Sequence, residues 1–234
     1  MMGDQLGALI PVAWRAVIDC AITETELEHL AARLDEDHRE IFPPREQWFR
    51  ALDETPLCDV RAVILGQDPY PTQGQAEGVA FSVPDGMLPV PPSLRRILSE
   101  AAREATIAPG RTSLLQWARR GVLLLNTALT VPEGKAAGHA TIGWQTVTDA
   151  ILRAVASQPG PVDFMPWGAH ARVAVRRAGI KDGRPHILCR PFTRWSAAGR
   201  SSDRTHSGAR TTGCAHTDWT RSTGRSIEER HARR

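Results

Sequence analysis

The sequence predicts an α/β protein: a three-layer α/β/α arrangement around a central four-stranded parallel sheet, followed by a disordered C-terminal tail. Three observations carry that reading. Two apolar runs, Ala62-Val63-Ile64-Leu65 and Val122-Leu123-Leu124-Leu125, stop at Gly66 and Asn126 and read as strands buried on both faces. Around them lie segments with apolar residues at helical spacing, so strands and helices alternate. Past Cys189 the aliphatic residues almost vanish.

Taken in order, residues 12–35 carry Leu27, Leu30, Ala31 and Leu34 at helical spacing, and Thr23-Glu24-Thr25-Glu26 reads as a helix start. Pro43-Pro44 ends that pattern, and Arg45 to Leu52 reads as one short helix before the first strand. A Pro/Gly loop from Pro84 to Pro92 leads to Ser93, placed to cap a helix from Leu94 to Glu104. Leu114 to Arg119 reads as a helix ahead of the second strand, residues 122–126. Trp144 to Ala156 is helical, with Val147, Ile151, Leu152 and Val155 on one face. Val162 to Met165 is a third strand ending at Trp167-Gly168, with a helix from Ala169 to Arg177 behind it. His186-Ile187-Leu188-Cys189 completes the set as a fourth strand.

A chain of 234 residues, 41% hydrophobic and 24% charged, has the size and composition of one ordinary globular domain. No apolar run approaches the roughly 20 residues that span a bilayer, and the segment Leu6 to Trp14 is a poor signal peptide because Pro11 interrupts it. The expectation is a cytoplasmic protein with no membrane partner. Cys20, Cys58, Cys189 and Cys214 lie far apart without a CxxC pair, so they read as reduced, mostly buried thiols rather than metal ligands. The net charge of +3 conceals a division: residues 190–234 hold ten Arg against four Asp and Glu, leaving 19 basic against 22 acidic groups in residues 1–189. Charge alone therefore does not point to nucleic acid, and any phosphate-facing surface must be local.

The residues with chemistry to offer stand at predicted strand ends, where open α/β sheets place their ligands. Gly66-Gln67-Asp68-Pro69-Tyr70 follows the first strand, Asn126 ends the second, Trp167-Gly168 ends the third, and Phe81 stands in Val79-Ala80-Phe81-Ser82-Val83. Singly, each has a commoner structural use: Asp-Pro makes turns, Phe fills cores, Asn caps, and Pro-rich loops connect. Together, and in this order, they resemble the family 1 uracil-DNA glycosylases. The resemblance is carried by those segments, by Gly78 to Val83, Pro91-Pro92-Ser93-Leu94 and Gly121 to Val131, and by His139, Gly143-Trp144 and Trp167-Gly168; it covers about residues 10–189.

The resemblance implies excision of uracil from DNA by hydrolysis of the N-glycosidic bond, with no metal or redox cofactor, by a monomer acting on uracil-containing DNA. It implies that Asp68 orients the attacking water, ionised with an unperturbed pKa. It also implies that the flipped base stacks on Phe81, that Asn126 reads the uracil edge, and that Tyr70 fills the space a thymine methyl would need. Backbone amides near Gln67 would help hold uracil oxygens, while Ser93 and Gly168 would pinch the DNA backbone. Other histidines, His170 and His186 among them, read as structural or solvated.

Two departures from the family stand out. Pro71 follows Tyr70 where a His is common. After the fourth strand the family carries an HPSPLS segment, whose His stabilises the departing uracil and whose Leu wedges into the duplex; here the chain reads Arg190-Pro191-Phe192-Thr193-Arg194-Trp195-Ser196-Ala197-Ala198. We read residues 190–234 as an out-of-frame translation. Suitable GC-rich codons from Cys189 onward, shifted by two nucleotides, spell PAIHPLVSGWAFFGSHPFRGAND, which restores HP, a Leu and FFG. The alternatives are a genuine basic tail that adds phosphate contacts, and a catalytically impaired relative that still binds DNA or uracil.

Overall fold

Alternate residues of the central strands separate into two apolar clusters, and this is what divides the molecule into layers. In the computed structural model, which describes residues 3–104, 110–181 and 187–188, the main sheet runs β3-β2-β5-β6, every neighbouring pair parallel. Its strands are β2 (Ala62–Gly66), β3 (Val122–Asn126), β5 (Asp163–Pro166) and β6 (Ile187–Leu188). Side chains of a strand point alternately to its two faces. Val63, Leu65, Leu123, Leu125 and Phe164 accordingly join one cluster, and Ala62, Ile64, Val122 and Leu124 join the other.

The first cluster is covered by α1 (Gly3–Ala8), α2 (Val12–Asp19), α3 (Glu24–Asp35), α4 (Arg50–Glu54), α7 (Trp144–Ala156) and α8 (Ala169–Arg177). The second lies under α5 (Pro92–Glu104), α6 (Leu115–Ala118) and the segment Val79 to Val83. Burying each large aliphatic side chain in such a core is worth about 1.5–3 kcal/mol. Residues at every position of β2 and β3 are buried, as continuous apolar runs require.

Thr23 starts α3 as predicted, in a reciprocal capping box: its Oγ1 accepts from Glu26 N–H, and Glu26 Oε2 accepts from Thr23 N–H at 2.8 Å. Elsewhere the structure departs from the sequence reading. Arg45 to Leu52 is two pieces, a 3₁₀ turn at Arg45–Gln47 and then α4. Neighbouring Trp48 and Phe49 lie at the junction of the two pieces and are both buried against Trp144. Ser93 does not cap α5. The helix begins at Pro92, with Arg95 N–H bonded to Pro91 O, because proline suits the first helical position and lacks the N–H that would go unpaired.

Cys20 and Cys58 are exposed free thiols, not buried ones: Cys20 follows the end of α2, and Cys58 lies in a one-turn 3₁₀ helix, Leu57–Asp59, with no buried residue. Cys189, Cys214, His186 and the whole of residues 190–234 lie outside the described residues. No helix among the described residues is long and apolar enough to cross a membrane.

The sequence reading did not contain a second, two-stranded sheet. Here β1 (Ile41–Phe42) pairs antiparallel with β4 (Val131–Pro132), Phe42 opposite Val131. This pairing seats the segment after α3 beside the loop that follows β4, and both border the site.

Candidate active site

Three adjacent strands deliver the site. β2 lies between β3 and β5, with Gly66 in register with Asn126, and Leu65 with Pro166. The loops leaving their carboxyl ends therefore start side by side. Thr127 N–H donates to Gly66 O at 3.1 Å, while Ala128 N–H and Thr127 Oγ1 donate to Gln67 O at 3.0 and 2.8 Å. These bonds strap the turn carrying Gln67 and Asp68 onto the segment after β3.

At the centre is the bare Cα of Gly66. A Cβ there would overlap Asn126 Oδ1 and would lie 3.3 Å from Ala80 Cβ and 3.4 Å from Phe81 Cε2. Glycine is thus required for close approach. The same geometry shows that the Asn126 carboxamide and the edge of the Phe81 ring meet over β2. Asn126 is only 6% exposed, and its carboxamide carries both a donor and an acceptor. Such a pair can serve a ligand ring that reaches it edge-on.

Phe81 is held in the left-handed region, with φ of 65°, an unusual conformation for a bulky residue. The backbone is clamped on both sides: Ala80 N–H donates to Leu124 O at 3.0 Å, and Tyr70 Oη donates to Phe81 O at 3.2 Å. Next in the chain, Ser82 Oγ accepts from Leu114 N–H at 2.6 Å and donates to Glu77. The Glu77 carboxylate, 5% exposed, also accepts from Ser113 Oγ at 2.9 Å and faces Arg50 Nη1 at 3.5 Å. The Phe81 ring packs on Trp167, centroids 5.3 Å apart. Sequence reasoning passed over Glu77 and did not foresee the Trp167 contact; a carboxylate in Gln-Ala-Glu-Gly carries no local sign of burial.

Asp68 Oδ2 accepts the backbone N–H of Ala137, and Gln67's side chain also bonds the carboxylate. Ala137 is the second non-glycine residue in the left-handed region, with φ of 60°. Burial raises the Asp68 pKa above its ordinary 3.8, outweighing the lowering from the Ala137 N–H, Gln67 and nearby His170. The expectation of an unperturbed carboxylate is corrected: the turn places it in a half-buried position where desolvation wins. His170 is solvated as expected, though close enough to act on Asp68.

Tyr70 is locked from two directions. Its hydroxyl bonds Phe81 O and lies 2.7 Å from Ser93 Oγ, and burial pushes its pKa up to about 12. Ser93 thus reaches the site through Tyr70. Gly168, φ 94°, precedes α8 and follows Trp167 at the end of β5. Gln67, Asp68, Tyr70, Phe81 and Asn126 are brought together, with Ser93 and Gly168 at the margin. Among the described residues no group of three or more His, Cys, Asp or Glu is placed to hold a metal ion.

Residues 52–178 match the sequence profile of the uracil DNA glycosylase superfamily. Among curated proteins, the uracil-DNA glycosylase of Oleidesulfovibrio alaskensis is 50% identical over 157 residues, covering 63% of this chain and 66% of that protein. The uracil-DNA glycosylase of Rhizobium meliloti is 45% identical over 180 residues, covering 75% and 73%, and that of Albidiferax ferrireducens is 48% identical over 195 residues, covering 76% and 77%. The chain thus spans about two thirds to three quarters of these relatives. Among solved structures, that of mimivirus uracil-DNA glycosylase superposes with a TM-score of 0.71 at 28% identity, covering 79% of this chain and 69% of that one.

Proposed function

The chain belongs to the uracil DNA glycosylase superfamily, and from that premise we propose that it hydrolyses the N-glycosidic bond of deoxyuridine in DNA, releasing uracil and leaving an abasic site. The observation that carries this reading is the meeting of the Asn126 carboxamide and the Phe81 ring over Gly66, with the Asp68 carboxylate on the turn just beyond. It is a slot for one planar, hydrogen-bonding ring beside one anionic oxygen pair.

A uracil stacked in a duplex is out of reach, so it must be extruded into the slot, at a cost of a few kcal/mol for unstacking and unpairing. Stacking on Phe81 recovers part of that cost. Asn126 offers uracil one donor and one acceptor; cytosine presents the reverse pattern at that edge and would leave polar groups unpaired, at about 1–3 kcal/mol each. Backbone amides near Gln67 supply further donors to uracil oxygens. Tyr70, unable to retreat from Phe81 O and Ser93, occupies the space a thymine methyl would need.

Asp68 orients the water and, ionised, faces the positive charge that develops on the sugar as the bond lengthens. Its pKa, raised by burial, makes it a stronger base than an exposed carboxylate. Ser93 and Gly168 border the slot where the DNA backbone would lie, and backbone N–H and hydroxyl donors there need little net positive charge.

This reading takes the protein as a cytoplasmic monomer that acts on uracil-containing DNA without a metal or redox cofactor. It takes residues 1–189 as the glycosylase body and residues 190–234 as the product of a shifted reading frame. Sequencing the gene across codons 185–234 tests that division: codons that cannot spell PAIHPLVSGWAFFG in the second frame end it. Uracil release from a labelled oligonucleotide tests the activity. Release from deoxyuridine but not from thymidine or deoxycytidine supports the reading, provided Asp68→Asn lowers it to a small residual rate, still measurable in single turnover; a folded protein that releases no base overturns it.

A further inference from the structure

The Asp68 carboxylate is held by a backbone N–H, and what holds that N–H is a buried polar chain reaching across the molecule. Ala137, the donor, lies in the loop between β4 and α7. Two residues later His139 is 2% exposed, and both its ring nitrogens are engaged: Nδ1 lies 2.8 Å from Thr130 Oγ1, and Nε2 lies 3.2 Å from Asp37 Oδ2. Ala140 N–H closes the turn on Ala137 O at 3.0 Å, so His139 and Ala137 belong to one rigid unit.

The chemistry of each group fixes the order of protons. Trp144 Nε1 can only donate, and it donates to Thr130 Oγ1 at 2.6 Å. An ionised Asp37 can only accept, so His139 carries its proton on Nε2 and donates it to Asp37. Nδ1 of the neutral ring then accepts from the Thr130 hydroxyl. Asp37 is in turn gripped by Arg39, whose Nη2 donates to Oδ2 at 2.6 Å and Nε to Oδ1 at 2.9 Å. The charged groups around the ring are Asp37, Arg39 and Lys135; burial lowers its pKa more than Asp37 raises it, so the ring stays neutral at neutral pH.

We infer that His139 is a positioning residue for Asp68: its two hydrogen bonds, to Thr130 and to Asp37, lock the loop that presents the Ala137 N–H to Asp68 Oδ2. The inference rests on the reading of Asp68 as the residue that orients the water. The Ala137 backbone sits at φ 60°, which an alanine adopts only when its surroundings impose it. The chain from Trp144 to Arg39 supplies that imposition, and β1–β4 pairing holds its two halves together.

The test compares His139→Phe, which keeps the ring volume without either bond, with His139→Gln, which still reaches Asp37 as a donor. Asp37→Ala joins them as a change on another segment, at a side chain 12% exposed, that leaves the His139 ring itself in place; a cooperative melt of each variant shows which of them keep the fold. A displaced catalytic group commonly costs on the order of 100-fold. The expected results are a fall in single-turnover kcat of about 10–100-fold for His139→Phe, about 3–10-fold for Asp37→Ala, and partial recovery in His139→Gln, with KM changed by less than about twofold.

The decisive arm repeats each change in the Asp68→Asn background. A residue that works through Asp68 costs nothing further once that carboxylate is gone. Equal losses in both backgrounds overturn the inference, as does unchanged kcat in Asp37→Ala and His139→Gln. Amide exchange at Ala137 reads the same coupling without turnover: faster exchange in the variants supports it and unchanged exchange overturns it. Wild-type protein that releases no uracil, yet shows the exchange effect, defeats the glycosylase reading and leaves the positioning intact.

Discussion

Tyr70 Oη and Ser93 Oγ stand 2.7 Å apart, joining the turn after β2 to the first turn of α5. Tyr70 is thereby fixed against the Phe81 carbonyl, and in the proposed site the room left for a base depends on a serine bonded to it. Removing the Ser93 hydroxyl frees the Tyr70 ring to move. Ser93→Ala is expected to lower kcat/KM for uracil by about 3–10-fold, the worth of a single hydrogen bond. Its preference for uracil over thymine should narrow, because the exclusion is steric and a mobile ring excludes less. Parallel release assays on uracil- and thymine-containing oligonucleotides check this; an unchanged ratio would mean that Tyr70 needs no such anchor.

Gly66→Ala places a methyl group where Asn126 Oδ1 lies. Overpacking of this kind costs about 1–3 kcal/mol, which a core with two clusters can absorb. Activity is expected to fall by more than about 100-fold, because the carboxamide must swing away from the base edge. A cooperative melt together with lost uracil release is the expected pair of results, and full activity would contradict the close approach.

The pH dependence of Asp68 follows from a pKa raised above 3.8 by burial. In the proposed reaction the active form is the carboxylate, so kcat is expected to fall as pH drops through the folded-state pKa, placing the acid limb above that of an exposed aspartate. Stability runs the other way. Ionising a group whose folded pKa is raised costs folding free energy at pH above the unfolded pKa. Asp68→Asn should therefore melt at a higher temperature than the wild type at pH 7, with the gain shrinking as pH falls through the folded value. Calorimetry across that range decides it.

Glu77→Ala removes the acceptor for the Ser82 and Ser113 hydroxyl protons and one of the two carboxylates facing Arg50, leaving the buried Ser82 O–H without its acceptor. The expected cost is about 2–4 kcal/mol, measured by urea unfolding. Because Ser82 adjoins Phe81, KM for a single-stranded substrate should rise more than kcat falls. A kcat effect alone would place Glu77 outside the control of Phe81.

Legibility in the sequence followed the range of the interactions. Strands β2 and β3 announce themselves because every side chain is apolar, and α7 and α8 fall at their predicted residues because helical spacing is a local signal. The Thr23–Glu26 box was legible for the same reason. The two-residue strands β1 and β4 were not, since each exists only by pairing with a segment some 90 residues away. At the site, Asp68, Phe81 and Asn126 were recognisable by motif. The links that fix them were hidden: Ser93 to Tyr70, Glu77 to Ser82, and Asp37 to His139, 102 residues apart. None has a spacing that a sequence displays.

The antiparallel pair formed by Ile41–Phe42 with Val131–Pro132 sets a lower limit on how far this protein can be trimmed. The segment that matches the superfamily profile begins at residue 52 and so leaves out Asp37, Arg39 and β1 altogether. A fragment cut to that match would keep every side chain proposed to meet the base and lose the brace behind them. The recognisable motif and the smallest working unit are different lengths of chain.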